Sequence, residues 1–404
     1  MSESLVIVGN GMAAARLVAE LKARDSGRYA ITLVGDEPRA AYNRVLLSSV
    51  LAGEIAESDL ELKPAGWWRD NHVEMRCGAR AERIDVARRE VRLAGGDAVR
   101  FDKLVLATGS SALRLPLAGA ELAGVHVFRN VADADALAQL GAERKRVVVI
   151  GGGLLGLEAA YGLVLRGAQV TLVHVMDRLM ERQLDPDGAA LLKRLVEDKG
   201  VRVMLNAGTT QIHGETCVRA VEFRDGSRVD ADAAVFAVGV KPNADLAAQA
   251  GIETKRGIVV DDHLATSAPG VFALGECAEH RGQCYGLVEP AYEQARVLAA
   301  HLVGRPASYA GTVVATNLKV SGVSVFSAGD FMGGAQAQRI VCSDPRMGIY
   351  KKLVIEEDRL IGSVLVGDSA AGLWHRDLIR SCVDISRIRD ELMFGDGASQ
   401  KKAA

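Results

Sequence analysis

Two short glycine patterns have the residue types and spacing to do chemistry. They are Gly9-Asn10-Gly11-Met12-Ala13-Ala14 and Gly151-Gly152-Gly153-Leu154-Leu155-Gly156. Each has glycine at its first and third positions and a small residue at its sixth. In such a pattern the first glycine makes a tight turn. The second lets backbone N–H groups approach a pyrophosphate at a helix N-terminus, and the third small residue lets helix and strand pack closely. One match is a weak signal, because a plain tight turn has the same spacing. Two matches, each after a β-branched run and before an Ala/Leu-rich stretch, point to two dinucleotides, a flavin and a nicotinamide.

The residue after the second strand of such a unit discriminates further, because a carboxylate there accepts from ribose hydroxyls. In the first unit Asp36-Glu37 follows the apolar run Ile31–Val34. In the second unit that place holds His174, and no acid follows until Asp177. Arg178 and Arg182 come next, and an arginine nearby accommodates a 2′-phosphate. The residues therefore leave NADH and NADPH both open, and His174 reads either as a nucleotide contact or as a strand-end residue without a ligand.

These residues must be positioned by strand–helix–strand units. Leu5–Val8 and Val147–Ile150 read as strands, and Ala30–Val34 and Gln169–Val175 as the strands that return after each helix. Val91–Leu93 and Lys103–Ala107 read as further strands, the second ending in Thr108-Gly109-Ser110. Val201–Leu205, Val218–Phe223, Ala233–Val238 and Val271–Gly275 follow, and Pro290–Val303 reads as an amphipathic helix. Beyond Gly311, Val313-Val314, Val323–Phe326, Tyr350–Ile355 and Leu360–Val366 suggest a small, mostly antiparallel sheet closed by a helix over Ala371–Val383. The tail Ser399–Ala404 reads as disordered. The expected class is α/β: two Rossmann-like dinucleotide-binding domains and a small α+β C-terminal domain. The expected boundaries are 1–113 with 240–312, then 114–239, then 313–404.

Composition narrows the function classes. Glycine is 43 of 404 residues with only 9 prolines, so the excess is neither collagen-like nor low-complexity. Formal net charge is −2 and aromatics are 4%, which argues against nucleic acid or an anionic membrane as partner. No long uncharged apolar stretch predicts a membrane span, and the N-terminus lacks the basic start and long apolar core of a secretory signal. The six cysteines are scattered without Cys-x-x-Cys, which fits reduced thiols and a cytoplasmic setting better than disulfides or a metal site.

The chain resembles the two-dinucleotide FAD/NAD(P)H oxidoreductases of the pyridine nucleotide–disulfide reductase superfamily. The nearest likeness is to the flavin-containing region of assimilatory nitrite reductase large subunits and their stand-alone, rubredoxin/ferredoxin reductase-like relatives. Besides the two glycine motifs, it is carried by Ala41-Tyr42-Asn43-Arg44-Val45-Leu46-Leu47-Ser48-Ser49 and by Leu157-Glu158-Ala159-Ala160. Further on it is carried by Leu179-Met180-Glu181-Arg182-Gln183-Leu184-Asp185, Ala273-Leu274-Gly275-Glu276-Cys277-Ala278 and Leu365-Val366-Gly367-Asp368.

The resemblance implies roles. Gly9, Gly11, Met12, Ala13 and Ala14 would hold the FAD pyrophosphate, and Asp36 with Glu37 its ribose. Arg44, Ser48 and Ser49 lie in the segment that runs along FAD, and Thr108-Gly109 matches the turn beside it. Gly275-Glu276 stands where relatives have Gly-Asp against the ribityl chain. Leu287 and Val288 begin the helix that would point at the flavin pyrimidine. Gly151, Gly153, Leu154, Leu155, Gly156, His174, Arg182 and Gly239 would serve NADH or NADPH.

Two departures from the family matter. Many relatives carry Lys where this chain has Ser49, near the flavin N5 and paired with a glutamate that Glu158 matches. Glu158 is the expected catalytic residue, seating the nicotinamide. Relatives with a reactive thiol place a cysteine soon after the first unit, whereas residues 36 to 60 contain none. Cys77 comes after an expected helix, and Cys277 reads as a small buried hydrophobe. Cys277 and Cys284 are too far apart for a redox turn. Hydride would pass from nicotinamide to flavin, and electrons would leave to a redox partner protein bearing metal centres. That partner would be a nitrate or nitrite reductase subunit or a small iron–sulfur protein. With no Cys-rich module after the flavoprotein region, the expectation is a separate electron-transfer component of an assimilatory nitrate or nitrite reductase. A ferredoxin or rubredoxin reductase is the first alternative, and a nucleotide-binding flavoprotein sensor or scaffold is the second.

Overall fold

The computed structural model describes residues 2–312, 315–320 and 322–395. The expected strand at Val313-Val314 and the expected disordered tail Ser399–Ala404 lie outside these residues. The chain divides into two compact units. One comprises Met1–Leu47, Ala56–Ser111 and Val240–Thr312; the other comprises Ser48–Ile55, Ala112–Gly239 and the described residues of Val313–Ala404.

In the first unit a five-stranded sheet runs in the order Val271–Ala273, Lys103–Leu106, Glu3–Val8, Tyr29–Gly35, Val73–Cys77, parallel throughout. Its central strand is flanked on both sides, and Leu5, Val6 and Ile7 are fully buried. A strand covered on both faces needs a continuous apolar run rather than alternation, which Leu5-Val6-Ile7-Val8 supplies. Helix Met12–Arg24 buries Ala14, Ala15, Leu17, Val18 and Leu21, a stripe at helical spacing. Helix Val288–Leu302 packs on it, and Tyr29 Oη donates to Leu302 O at 2.7 Å.

The second unit repeats the scheme with strands Arg202–Met204, Gln169–Val173, Arg146–Ile150, Ala233–Phe236 and Val125–Val127, again all parallel. Helix Leu154–Leu165 follows its glycine turn. This unit also holds an antiparallel sheet in the order Ala315–Val320, Val323–Gly329, Arg359–Val366, Ile349–Glu356, Gln338–Asp344. Helix Gly372–Ser381 packs against it. The fold is thus mixed α/β, with two parallel Rossmann-like sheets and an antiparallel C-terminal sheet.

Several expected elements change. The strand read over Gln169–Val175 ends at Val173, because both flanking strands end opposite it, at Ile150 and Met204. His174 is therefore the first residue of a loop. Cys77 comes after helix Ala65–Asp70, as expected, and ends an edge strand. Helices Val131–Ala142 and Pro186–Glu197 and strand Gln338–Asp344 had no expectation, and the strands expected at Val91–Leu93 and Val218–Phe223 each lie in a small three-stranded antiparallel sheet. Among the described residues no helix is long and apolar enough to cross a membrane, and no His/Cys/Asp/Glu group is arranged to hold a metal ion. All six cysteines are free.

Candidate functional site

In the first unit the chain leaves strand Glu3–Val8 through Gly9, whose φ is +112°. A Cβ there would lie 2.0 Å from the Ala107 carbonyl oxygen, so only glycine allows the two strand ends to meet. Gly11 is the N-cap of helix Met12–Arg24. It gives no side-chain cap, and no acid occupies the first turn. A Cβ on Gly11 would meet no heavy atom within 4 Å. The first-turn N–H groups of Met12, Ala13 and Ala14 lie at the positive end of a 13-residue helix, behind a turn whose Gly11 Cβ position is open. A pyrophosphate fits there without displacing any protein partner.

The surrounding loops are fixed by the protein itself. Asp36 is exposed just past Gly35. Glu37 accepts from Tyr42 Oη at 2.8 Å and pairs with Arg44, whose guanidinium lies 4.9 Å from the Tyr42 ring centre. Glu37 and Arg44 hold each other, whereas Asp36 faces solvent. Thr108 and Asn243 are tied twice: Thr108 Oγ1 donates to Asn243 O at 2.7 Å, and Asn243 Nδ2 donates to Thr108 O at 2.8 Å. Asn243 N also donates to Gly109 O. The Gly275 N–H donates to Oε1 of fully buried Gln294 at 2.7 Å. A Cβ on Gly275 would come within 3.1 Å of the Ala13 Cβ, so this loop lies against the helix N-terminus. Glu276 accepts from Ser110 Oγ at 2.6 Å. Helix Val288–Leu302 begins after Leu287, its N-cap, again without a side-chain cap. Cys277 is fully buried, with Sγ against the Leu106 and Leu274 carbonyls, and burial pushes its thiol up.

The second unit repeats the turn. Gly151 has φ +124°, and a Cβ there would lie 2.2 Å from Ala237 O. Gly153 caps helix Leu154–Leu165 with no side-chain cap, no acid in the first turn and open space at its Cβ position. The N–H groups of Leu154 and Leu155 start this helix. A Cβ on Gly156 would lie 1.9 Å from Gly151 O, which is the close helix–strand contact expected of the sixth position. Gly239 also has open space at its Cβ position.

His174 is held within the protein at both ring nitrogens. It is 8% exposed, its Nδ1 accepts from Gly152 N at 3.0 Å, and its Nε2 meets Glu181 Oε2 at 3.0 Å. An acceptor at Nδ1 fixes the proton on Nε2, so both ring nitrogens are used within the protein. Arg182 is exposed, and Arg178 Nη1 pairs with Asp177 at 3.0 Å. Glu158 lies in helix Leu154–Leu165 with a hydrogen bond from Ser48; burial pushes its carboxyl up to about 7, against an ordinary value of 4.5. Ser49 Oγ donates to Glu54 Oε2 at 3.0 Å. Arg166 donates to the Leu51 and Val50 carbonyls at 2.7 and 2.9 Å, pinning the Ser48–Ile55 segment to this unit.

Sequence reasoning missed Asn10, Asn243, Gln294 and Glu181. Asn10 Nδ2 donates to Arg39 O at 2.7 Å beside the first turn. Glu181 was visible within a motif but carried no role there. Asn10 too stood within a motif without a role, and the partners of Asn10, Asn243 and Gln294 are distant in sequence.

Comparison with known proteins agrees with this architecture. Residues 3–297 match the family model described as pyridine nucleotide-disulphide oxidoreductase, and residues 315–383 match the rubredoxin NAD+ reductase C-terminal domain. The chain is 42% identical over 386 residues to a nitrite reductase, NAD(P)H, of Bacillus subtilis (strain 168), covering 95% of this chain and 48% of that protein. It is 40% identical to the assimilatory nitrate reductase electron transfer subunit of the same organism, covering 91% and 48%. The chain thus spans about half the length of these relatives. Among solved structures, the covalent putidaredoxin reductase–putidaredoxin complex superposes with a TM-score of 0.85 at 28% identity, covering 95% of this chain and 94% of that one.

Proposed function

The chain belongs to the pyridine nucleotide–disulphide oxidoreductase family, and from that premise we propose that it is a flavoprotein that takes reducing equivalents from NAD(P)H and passes them to a separate redox protein. The reading extends to the electron-transfer part of an assimilatory nitrate or nitrite reductase, acting on a partner that bears metal centres. One observation carries it. Two uncapped helix N-termini each open on free space behind a glycine turn, in a chain whose cysteines are all free and include no Cys-x-x-Cys.

When bound, FAD supplies acceptance of an electron pair and release of single electrons. The chain's own groups bind and orient. The first-turn amides behind Gly9 and Gly11, from Met12 to Ala14, receive the pyrophosphate of FAD, and Asp36 accepts from its ribose hydroxyls. Arg44, steadied by Glu37 and Tyr42, lies along it. Thr108, Gly109, Gly275 and Glu276 shape the wall, each held by the bonds described above. The N-terminus of helix Val288–Leu302, at Leu287 and Val288 and with Glu289 in its first turn, would face the flavin and favour its reduced form through the helix dipole. Gly151, Gly153, Leu154, Leu155 and Gly156 receive the nicotinamide dinucleotide, together with Gly239, which follows the neighbouring strand Ala233–Phe236. Glu158 holds a proton near neutrality beside that site. Free cysteines and NAD(P)H use fit a cytoplasmic location.

The likeness to putidaredoxin reductase and the rubredoxin-reductase C-terminal match favour a second reading, transfer to a small iron–sulfur protein. Rapid mixing of flavin-loaded protein with NADH or NADPH tests the common step. Flavin absorbance is expected to bleach within seconds. Adding the host's nitrate or nitrite reductase subunit should then restore absorbance in proportion to nitrate or nitrite consumed, and restoration by ferredoxin or rubredoxin alone would favour the second reading. Bleaching that takes many minutes would overturn the reductase reading in favour of a sensor or scaffold.

A further inference from the structure

The proposed nicotinamide site lacks an acid where the second strand ends, and the structure shows what stands there instead. His174 follows strand Gln169–Val173 and turns its ring onto the glycine turn, where Nδ1 accepts from Gly152 N at 3.0 Å. The opposite ring nitrogen reaches Glu181 Oε2 at 3.0 Å. The loop between them is closed by Met180 N donating to Gly152 O at 3.0 Å. The imidazole is therefore a rigid spacer that anchors a carboxylate one ring's width beyond the turn.

That carboxylate is available. The Glu181 side chain is 24% exposed, and among the described residues its other oxygen, Oε1, has no hydrogen bond. The next two residues after His174, Val175 and Met176, expose 53% and 43% of their surface and offer an apolar shelf of the kind a purine ring covers. The loop also carries two cations. Arg178 is engaged by Asp177, and Arg182 is exposed.

We infer that Glu181, braced by His174, is the ribose-reading carboxylate of the second dinucleotide site and selects NADH over NADPH. This rests on the dinucleotide reading above. Oε1 accepts from a ribose 2′-hydroxyl, whereas a 2′-phosphate would meet a fixed negative charge. His174 is a positioning residue: it touches the turn and the acid.

Equilibrium binding of NAD+ and NADP+ to the flavin-loaded protein, followed by titration calorimetry, tests this without turnover. The parent is expected to bind NAD+ at least about tenfold more tightly than NADP+, the worth of one charge-assisted hydrogen bond. Glu181→Gln should weaken NAD+ and strengthen NADP+, bringing the ratio towards one, with the flavin spectrum unchanged. His174→Asn keeps an acceptor for the Gly152 N–H but cannot reach Glu181, so it should lower the same ratio. A purely structural role for His174 would weaken both nucleotides equally. The inference is overturned by a parent that prefers NADP+, by a Glu181→Gln ratio equal to the parent's, or by equal weakening in His174→Asn. A flavin-loaded parent that binds neither nucleotide would overturn the dinucleotide reading itself.

Discussion

Glu158 has a hydroxyl from Ser48 as its hydrogen-bond partner, and no cation offsets its burial. The serine bond favours the ionised form and burial opposes it; burial wins, and the carboxyl titrates at about 7. Ser49 stands where many relatives of the resemblance carry lysine, and it is spent on Glu54. Because the folded-state value lies above the ordinary 4.5, the folded protein holds the proton more tightly than the unfolded chain. The stability tied to this group is full below pH 4.5 and lost as pH rises through 7. Glu158→Gln should remove that slope, so that thermal melts show the variant gaining on the parent between pH 5 and pH 8. At the same scale, Glu158 was legible from its motif, but its proton affinity was not, since that depends on what surrounds it. His174 was legible as a missing acid; its bond to Glu181 was not, because an irregular loop, residues 175–180, separates them.

Each glycine turn with its helix acts as one element, and the two differ in an informative way. The sixth position is Ala14 in the first unit, fully buried and accommodated, whereas Gly156 in the second would drive a Cβ to 1.9 Å from Gly151 O. The spacing announced both elements, and only the closeness of helix to strand decided which small residue each tolerates. Gly11 separates binding from folding. Its Cβ position is empty and its backbone is extended, so a branched side chain disturbs no protein contact there. Gly11→Val is therefore expected to fold with an unchanged far-ultraviolet spectrum and to purify without flavin absorbance. A yellow Gly11→Val protein would sink the assignment of the first unit. Strand ends were read less well than strand centres, as Gln169–Val173 illustrates, because a strand stops where its neighbour stops.

At the scale of the molecule, the second unit is joined through a buried charge. Asp185 caps helix Pro186–Glu197 through Gly188 N at 3.2 Å. Its Oδ2 also accepts from Tyr350 Oη at 2.7 Å and Lys352 Nζ at 3.0 Å, both on strand Ile349–Glu356. Asp185 and Lys352 are 3% and 6% exposed, so removing the acid strands a buried ammonium. Asp185→Ala should cost about 3–5 kcal/mol in chemical denaturation of the flavin-loaded protein. The sequence alone determined the local chemistry: two glycine turns, the apolar runs before them and the absence of a paired thiol. These depend on residue types within a few positions, where backbone sterics dominate. Only the tertiary structure decided that Asp185 meets Lys352, that Gln294 meets Gly275, and that Glu181 meets His174. Such pairings bring together distant segments or turn on the path of an irregular loop, and burial then sets how strongly each charge or proton is held.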